Sequence, residues 1–464
     1  MCLDRLIIIE KNDKTMKNNS SILALLIMIV LLGCLPCYSQ AVKVEVKEIN
    51  GEWVLTRGGE PYYINGAGGL GYMEQLVVTG GNSIRTWSVD DAQETLDEAH
   101  KNGLTVMMGL WVQHERHGYD YDNEEANKAQ LEYFTRMVKK YKDHPALLMW
   151  SIGNEVDLFY SNTKVWHVVQ DIAKMIHEVD PNHPTNTVTA GLDEKEVALI
   201  MERAPDIDIY AINTYGEVGE IREKIRRSGW TKPYIVAEWG PDGHWEVAKT
   251  KWSAPIEQTS HEKALSYYQR YNDHILPDKE MCIGSYVFLW GQKQETTATW
   301  YGLFSNGGQT TEVVDYVQKS WTGEWPENRA PSLDSLSLDG QKKGDNIYLT
   351  AEELYTANIF ASDDHDVKLK YYYKIYPESM NTKSGGDLEK EPPAMSGLIK
   401  KKSGGTVTFK APREEGPYRL FVYVNDKKDK MAYANIPFFV NPRKKGMPQS
   451  SLVKTKTREL QIPE

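Results

Sequence analysis

Eight short apolar, β-favouring runs alternate with amphipathic helical stretches between Tyr62 and Trp321. The runs are Tyr62–Gly66, Ser83–Trp87, Thr105–Trp111, Leu147–Gly153, Thr185–Thr189, Ile207–Asn213, Tyr234–Trp239 and Gly284–Trp290. Helical patterns are expected over Tyr72–Val78, Asp90–Lys101, Asn123–Tyr141, Thr163–Glu178, Glu194–Arg203, Val218–Arg227, His261–His274 and Glu312–Trp321. Their apolar residues recur at helical spacing, as in Leu131, Phe134, Met137 and Val138. Eight such units predict an α/β fold of the (β/α)8 TIM-barrel type, because a doubly wound sheet has no need of eight regular repeats. Gly66-Ala67-Gly68-Gly69 follows a strand but lacks both the spacing and the Lys-Ser/Thr end of a phosphate loop.

The pattern changes after Trp325. All 13 tryptophans lie between Trp53 and Trp325, and Pro326–Pro331 reads as a linker. Short β-rich segments follow at Asn346–Thr350, Lys368–Tyr376, Gly405–Lys410, Tyr418–Val424 and Ala434–Val440. Their spacing predicts a C-terminal immunoglobulin-like β-sandwich. The expected division is a leader over 1–40, a catalytic barrel over 41–325, the sandwich over 326–441 and a disordered tail over 442–464.

The apolar run Ser21–Gly33 is too short to span a bilayer as a helix but suits the core of a signal peptide, with Met16 as the expected start. Leu31-Leu32-Gly33-Cys34 reads as a lipoprotein box and Cys37-Tyr38-Ser39 as an ordinary cleavage site. Export follows from either: to the periplasm, to the outer-membrane surface through a lipid anchor on Cys34, or into the medium. Outside the leader only Cys282 remains, in an apolar stretch, so a disulfide scaffold and a cysteine zinc site are excluded. With 54 Lys+Arg against 65 Asp+Glu, the net charge of −11 argues against nucleic acid as a partner. A monomer is expected.

In a barrel, chemistry resides at the C-terminal ends of the strands. Here those ends carry Arg85 and Trp87, then Trp111 to His114, Asn154-Glu155, Asn213 to Tyr215, Glu238-Trp239 and Trp290. Glu155 and Glu238 close otherwise apolar strands, the fourth and the seventh, so they face one another across the mouth. An unpaired charge is costly there unless it is used or bound by a structural cation. Two facing carboxyls are what glycosidic cleavage requires: one donates a proton to the leaving oxygen, and the other attacks or stabilises the anomeric carbon.

Asn154-Glu155 after an apolar strand, with Ala237-Glu238-Trp239-Gly240 three strands later, resembles the clan A retaining glycoside hydrolases over roughly Trp53–Trp321. The resemblance implies Glu155 as acid/base, Glu238 as nucleophile, Arg85 near the nucleophile and Asn154 on the sugar 2-hydroxyl. It also implies Tyr215 as hydrogen-bond partner of the nucleophile and Trp290 as subsite floor. Trp150 to Glu155 and Ile212 to Tyr215 resemble the family 2 catalytic barrel. A barrel followed by one sandwich resembles family 158, which implies endo-β-1,3-glucan (laminarin-type) hydrolysis by double displacement. A β-glucanosyltransferase, a family 2-like exo-β-glycosidase and a surface glycan-binding protein are the alternatives.

Polysaccharide clefts are floored by aromatic rings that stack on sugar faces. Trp239 and Trp111 are the expected subsite residues, together with His244 in a loop that also carries Trp245 and Trp252. Trp300 and Tyr301 sit in the loop after the eighth strand, and packing of the loops is the competing role for these rings. His114-Glu115-Arg116-His117 lacks metal-ligand spacing and Asp120-Tyr121-Asp122 lacks the rest of a calcium loop, so neither metal nor cofactor is expected. The sandwich contains no tryptophan and reads as a spacer or stabilising partner rather than a carbohydrate-binding module.

Overall fold

The computed structural model describes residues 41–443 apart from 366, 367 and 381. The expected leader, with Met16 and Cys34, and positions 444–464 of the expected tail lie outside the described residues. Eight parallel strands close into a barrel: β1 (Ile64–Gly68), β2 (Ser83–Arg85), β3 (Thr105–Leu110), β4 (Leu147–Asn154), β5 (Thr185–Ala190), β6 (Ile209–Asn213), β7 (Tyr234–Trp239) and β8 (Cys282–Val287). Helices α1 (Met73–Val78), α2 (Ala92–Lys101), α3 (Glu124–Tyr141), α4 (Val165–Val179), α5 (Glu194–Arg203), α6 (Ile221–Arg227), α7 (Ser260–Gln269) and α8 (Glu312–Thr322) accompany them. Local chemistry starts several helices. Asn123 caps α3, Asp193 caps α5, and Thr259 with Glu262 forms a reciprocal capping box on α7. Cys282 is a free, buried thiol.

β1 and β8 differ most from expectation. Tyr62 lies ahead of β1, its backbone N donating to Leu55 O at 2.8 Å and its hydroxyl to Asn82 O at 2.7 Å. Pairing of β8 with β1 ends at Val287, opposite Ala67, so Trp290 lies beyond the strand. Residues 44–61, to which the sequence reading assigns no element, form an antiparallel sheet of Val44–Ile49, Glu52–Arg57 and Glu60–Pro61. Val44 and Leu55 join the barrel's inner cluster with Met107, Leu148, Ile209 and Ile235. Val44 N donates to Asn182 O at 2.8 Å and Trp53 N to Glu280 O at 2.9 Å, both just ahead of barrel strands. That sheet therefore plugs the N-terminal end and leaves the C-terminal mouth for ligands.

After the barrel come β9 (Ser332–Leu338), β10 (Ile347–Thr350), β11 (Leu354–Ser362), β12 (Lys370–Pro377), β13 (Ile399–Ser403), β14 (Thr406–Lys410), β15 (Gly416–Asn425) and β16 (Lys430–Asn441). With Thr310–Thr311 and Gln341–Lys342 they form two five-stranded sheets that share one core, with Leu336, Ile359 and Phe409 from one and Leu420, Ile436 and Phe438 from the other. β10 runs parallel to β16. The barrel's Thr310–Thr311 also pairs with β16, so the second unit is stitched to the first. At that junction the buried Lys263 donates to Glu257 at 2.6 Å and Tyr433 Oη at 3.2 Å, while Asn435 donates to Glu257 at 2.5 Å.

Two bulges position the site. The β4–β5 ladder steps from Ile152↔Thr187 to Asn154↔Val188, leaving Gly153 as an extra residue at φ 72°. The β6–β7 ladder steps from Val236↔Ile212 to Glu238↔Asn213, leaving Ala237 extra. Strict alternation would send Asn154 and Glu238 outward with Ile152 and Val236, into the layer between strands and helices. One inserted residue reverses the parity and turns both inward.

Gly153 and Gly103 have nearly the same left-handed φ, 72° and 73°, but a Cβ on Gly153 would lie 2.9 Å from Val156 while one on Gly103 meets nothing. Replacement of either by Ala is expected to lower unfolding free energy by about 1–2 kcal/mol in denaturant titration. Only Gly153→Ala should also reduce turnover, because it alone displaces Asn154 and Glu155.

Candidate active site

Arg85, at the end of β2, buries its guanidinium with 1% exposure. A buried cation needs acceptors on every side. Nη1 donates to Asn213 Oδ1 at 3.1 Å, Ala237 O at 2.8 Å and Glu238 Oε1 at 2.9 Å, and Nη2 donates to Asn154 Oδ1 at 2.5 Å. Two further donors reach Glu238: Trp87 Nε1 to Oε1 and Tyr215 Oη to Oε2, each at 2.9 Å. Asn213 Nδ2 donates to Glu155 Oε1 at 2.8 Å and Asn154 Oδ1 at 3.1 Å. Both carboxylates thus belong to one network running Glu155–Asn213–Arg85–Glu238.

The two are not equivalent. Glu155 is held well above the ordinary carboxylate range, by burial first and by the charge of Glu238 second, with the Asn213 hydrogen bond opposing. Its backbone sits at φ 51°, a left-handed conformation seldom used by a non-glycine residue. Asp157, two residues on, accepts from Ala190 N at 3.1 and 3.0 Å and is raised to about 8, again chiefly by burial. His114 meets Asn154 O through Nε2 at 2.6 Å, and burial lowers it to about 4, so it is neutral at pH 7. A carboxyl that holds its proton more firmly than usual thus shares one network with a second carboxyl gripped by three donors, the pairing needed to protonate a leaving oxygen and attack the carbon behind it.

These groups open into a cavity of about 720 Å³, within the usual range of about 300–1,000 Å³ for small-ligand sites. Asn154, Tyr215, Trp111 and His244 line it, and Arg85 lies within the network beneath. Trp239 and Trp290, both expected as subsite residues, do not. The β7 bulge turns Trp239 outward onto Tyr267 and Tyr271. Trp290 is 1% exposed, donates to Tyr72 O at 3.2 Å and packs edge-on against Phe304. Phe288, two residues earlier, takes the lining position. Trp245 lines the cavity and is exposed, whereas Trp252 packs on Tyr348 and Phe439 of the second unit. Trp300 and Tyr301 are buried behind Tyr215 and Phe288.

The sequence reading missed Phe159, Lys293, Glu295 and Ser384–Asp387, all of which line the cavity. Position after β4 or β8 could have flagged the first three. Nothing local flags Ser384–Asp387, which belongs to the second unit. Among the described residues no cluster of His, Cys, Asp or Glu could hold a metal ion.

The family described as glycosyl hydrolases family 2, TIM barrel domain, matches residues 79–311, half of the 464-residue chain. A β-glucuronidase of Paenibacillus borealis is 24% identical over 277 residues, 53% of this chain and 44% of that protein. Probable mannan endo-1,4-β-mannosidase F of Aspergillus oryzae is 25% identical over 163 residues, 28% of this chain and 34% of that one. A solved Bacteroides uniformis β-glucuronidase aligns with 86% of this chain and 48% of its own, at 14% identity and a TM-score of 0.46. The chain spans less than half the length of these curated relatives. The matched segment contains both family 2-like strings, Trp150 to Glu155 and Ile212 to Tyr215, so the match is to family 2 where the domain order suggested family 158. By that match the chain belongs to the TIM-barrel family of the family 2 glycosyl hydrolases.

Proposed function

We propose that this protein is a retaining β-glycosidase acting on a neutral β-linked glycan. The observation that carries the reading is the shared network that grips Glu238 with three donors while Glu155, half-buried beside it, has its carboxyl pKa raised. Glu238 attacks the anomeric carbon as the bond to the leaving oxygen breaks, and the Glu155 proton passes to that oxygen. Esterification removes the Glu238 charge and with it one cause of the raised Glu155 pKa. Glu155 then takes a proton from water, whose oxygen displaces Glu238. Asn154 accepts from Arg85 and Asn213 through Oδ1, which leaves its Nδ2 for a sugar hydroxyl.

Cavity charge favours a neutral sugar over a uronate, although glucuronides are what several relatives are named for. Lys293 is the one Lys or Arg among the described lining residues, and it is paired with Glu295 at 2.8 Å. Glu217, Glu246, Glu295 and Asp387 line the same space. His244 adds no cation at pH 7, since burial lowers it to about 4. Laminarin-type β-1,3-glucan is the first substrate to test, on the resemblance of the domain order to family 158. Mixed-linkage glucan, β-mannan and an aryl β-glucuronide belong beside it. Rapid cleavage of the glucuronide with silence on every neutral glycan would refute the charge argument.

Glu238→Gln is expected to abolish turnover. Glu155→Gln should cost about 10²–10⁴ on glycans but far less on an aryl glycoside with a good leaving group. In the pH profile, activity disappears as pH rises through the raised Glu155 pKa, because the acid must carry its proton. That basic limb therefore lies above the ordinary carboxylate range, and Glu155→Gln should erase it for the activated aryl glycoside.

A further inference from the structure

Ser384–Glu389 belongs to the second unit, yet its partners are on the barrel mouth. Arg116, after β3, donates from Nη1 to Asp387 Oδ2 at 2.9 Å and Ser384 O at 3.4 Å, and from Nη2 to Gly385 O at 3.4 Å. His117 Nε2 meets the same Asp387 oxygen at 3.2 Å. On the other side Lys293, after β8, donates to Gly386 O at 2.7 Å. Glu389, 4% exposed, accepts from Thr296 N and Lys383 N at 2.7 Å each. Around the ring β8 is separated from β3 by β1 and β2, so the segment bridges that arc of the mouth.

Two glycines allow the backbone to lie this close. Gly385 and Gly386 have φ of 63° and 72°. A Cβ on Gly385 would sit 2.6 Å from Leu158 Cδ2 and 2.9 Å from Arg116 Nη2, and one on Gly386 3.0 Å from Lys293 Nζ. Any other residue would be strained at these φ angles and would push aside the side-chain tips that hold the segment. Ser384 to Asp387 line the same cavity as Glu155 and Glu238.

We propose that Ser384–Asp387 is a specificity-determining wall: it stops a glycan on that side, so the site admits chain ends and short oligosaccharides rather than internal stretches of polymer. The inference rests on the glycosidase reading above. The wall carries out no bond chemistry, and decides only which substrate reaches the carboxylates.

The test uses the full chain with an aryl β-glucoside, laminari-oligosaccharides of increasing length, and laminarin. Arg116→Ala removes the anchor from outside the cavity lining, and Glu389→Gln supplies an independent loosening should Arg116→Ala fold poorly. For the wild type, kcat/KM is expected to level off at short oligosaccharides. In either variant aryl glucoside turnover should stay unchanged while kcat/KM for the longest oligosaccharide and laminarin rises about tenfold. Length profiles that coincide in all three forms would overturn the wall and leave the glycosidase reading standing. Absence of turnover in every form, together with absence of binding to Glu238→Gln in calorimetry, would overturn both.

Discussion

The site is organised around the burial of one cation. Arg85 is almost wholly removed from water, and its two terminal nitrogens reach acceptors on β4, β6 and β7. A guanidinium in that position is tolerable only when close acceptors meet its charge, as they do at both terminal nitrogens though not at Nε, so those acceptors are constrained as tightly as the cation. Asn213 receives its orientation from Arg85 through Oδ1 and passes it to Glu155 through Nδ2. Trp87 adds both a hydrogen bond to Glu238 and a ring 5.4 Å from the guanidinium carbon. The relative placement of the two carboxylates thus follows from satisfying Arg85.

The second unit, which its lack of tryptophan marks as a spacer or stabilising partner, is joined to the barrel by direct pairing. Its β16 extends the pairing begun by Thr310–Thr311, and Tyr433 and Asn435 complete the buried Lys263–Glu257 cluster. A buried pair of this kind is costly to assemble and more costly to break, which makes it a fixed reference between the sheet of β16 and the barrel. From that reference the segment with Asp387 and Glu389 reaches the mouth. His114 to His117, which the sequence shows only as a polar run unfit for metal, links the two: His114 supports Asn154 O, and Arg116 and His117 hold Asp387.

Legibility followed from how local the cause was. Eight apolar runs with interleaved helical periods specify a barrel because each strand's burial and each helix's stripe are set by neighbouring residues. Tyr234–Trp239 and Glu194–Arg203 were placed at their observed bounds. Among the second unit's strands, β9, β11 and β13 are not among the expected segments, and β13, Ile399-Lys400-Lys401-Lys402-Ser403, is a charged edge strand with little to bury. Trp290 was expected in the cavity and is not there, because the register of β8 against β1, which no local pattern encodes, ends at Val287.

The amino-acid sequence by itself determined the barrel, the strand ends that bear Glu155 and Glu238, and the neighbours Arg85, Asn154 and Tyr215 at the same mouth. Tertiary structure alone decided which aromatic rings face the cavity and that a segment from the second unit forms one of its walls. The physical reason is parity and distance. A single bulge residue exchanges inside for outside, as it does for Glu238 and Trp239, and Gly386 meets Lys293 across 93 residues of chain. Neither is set by anything a local stretch of residues carries.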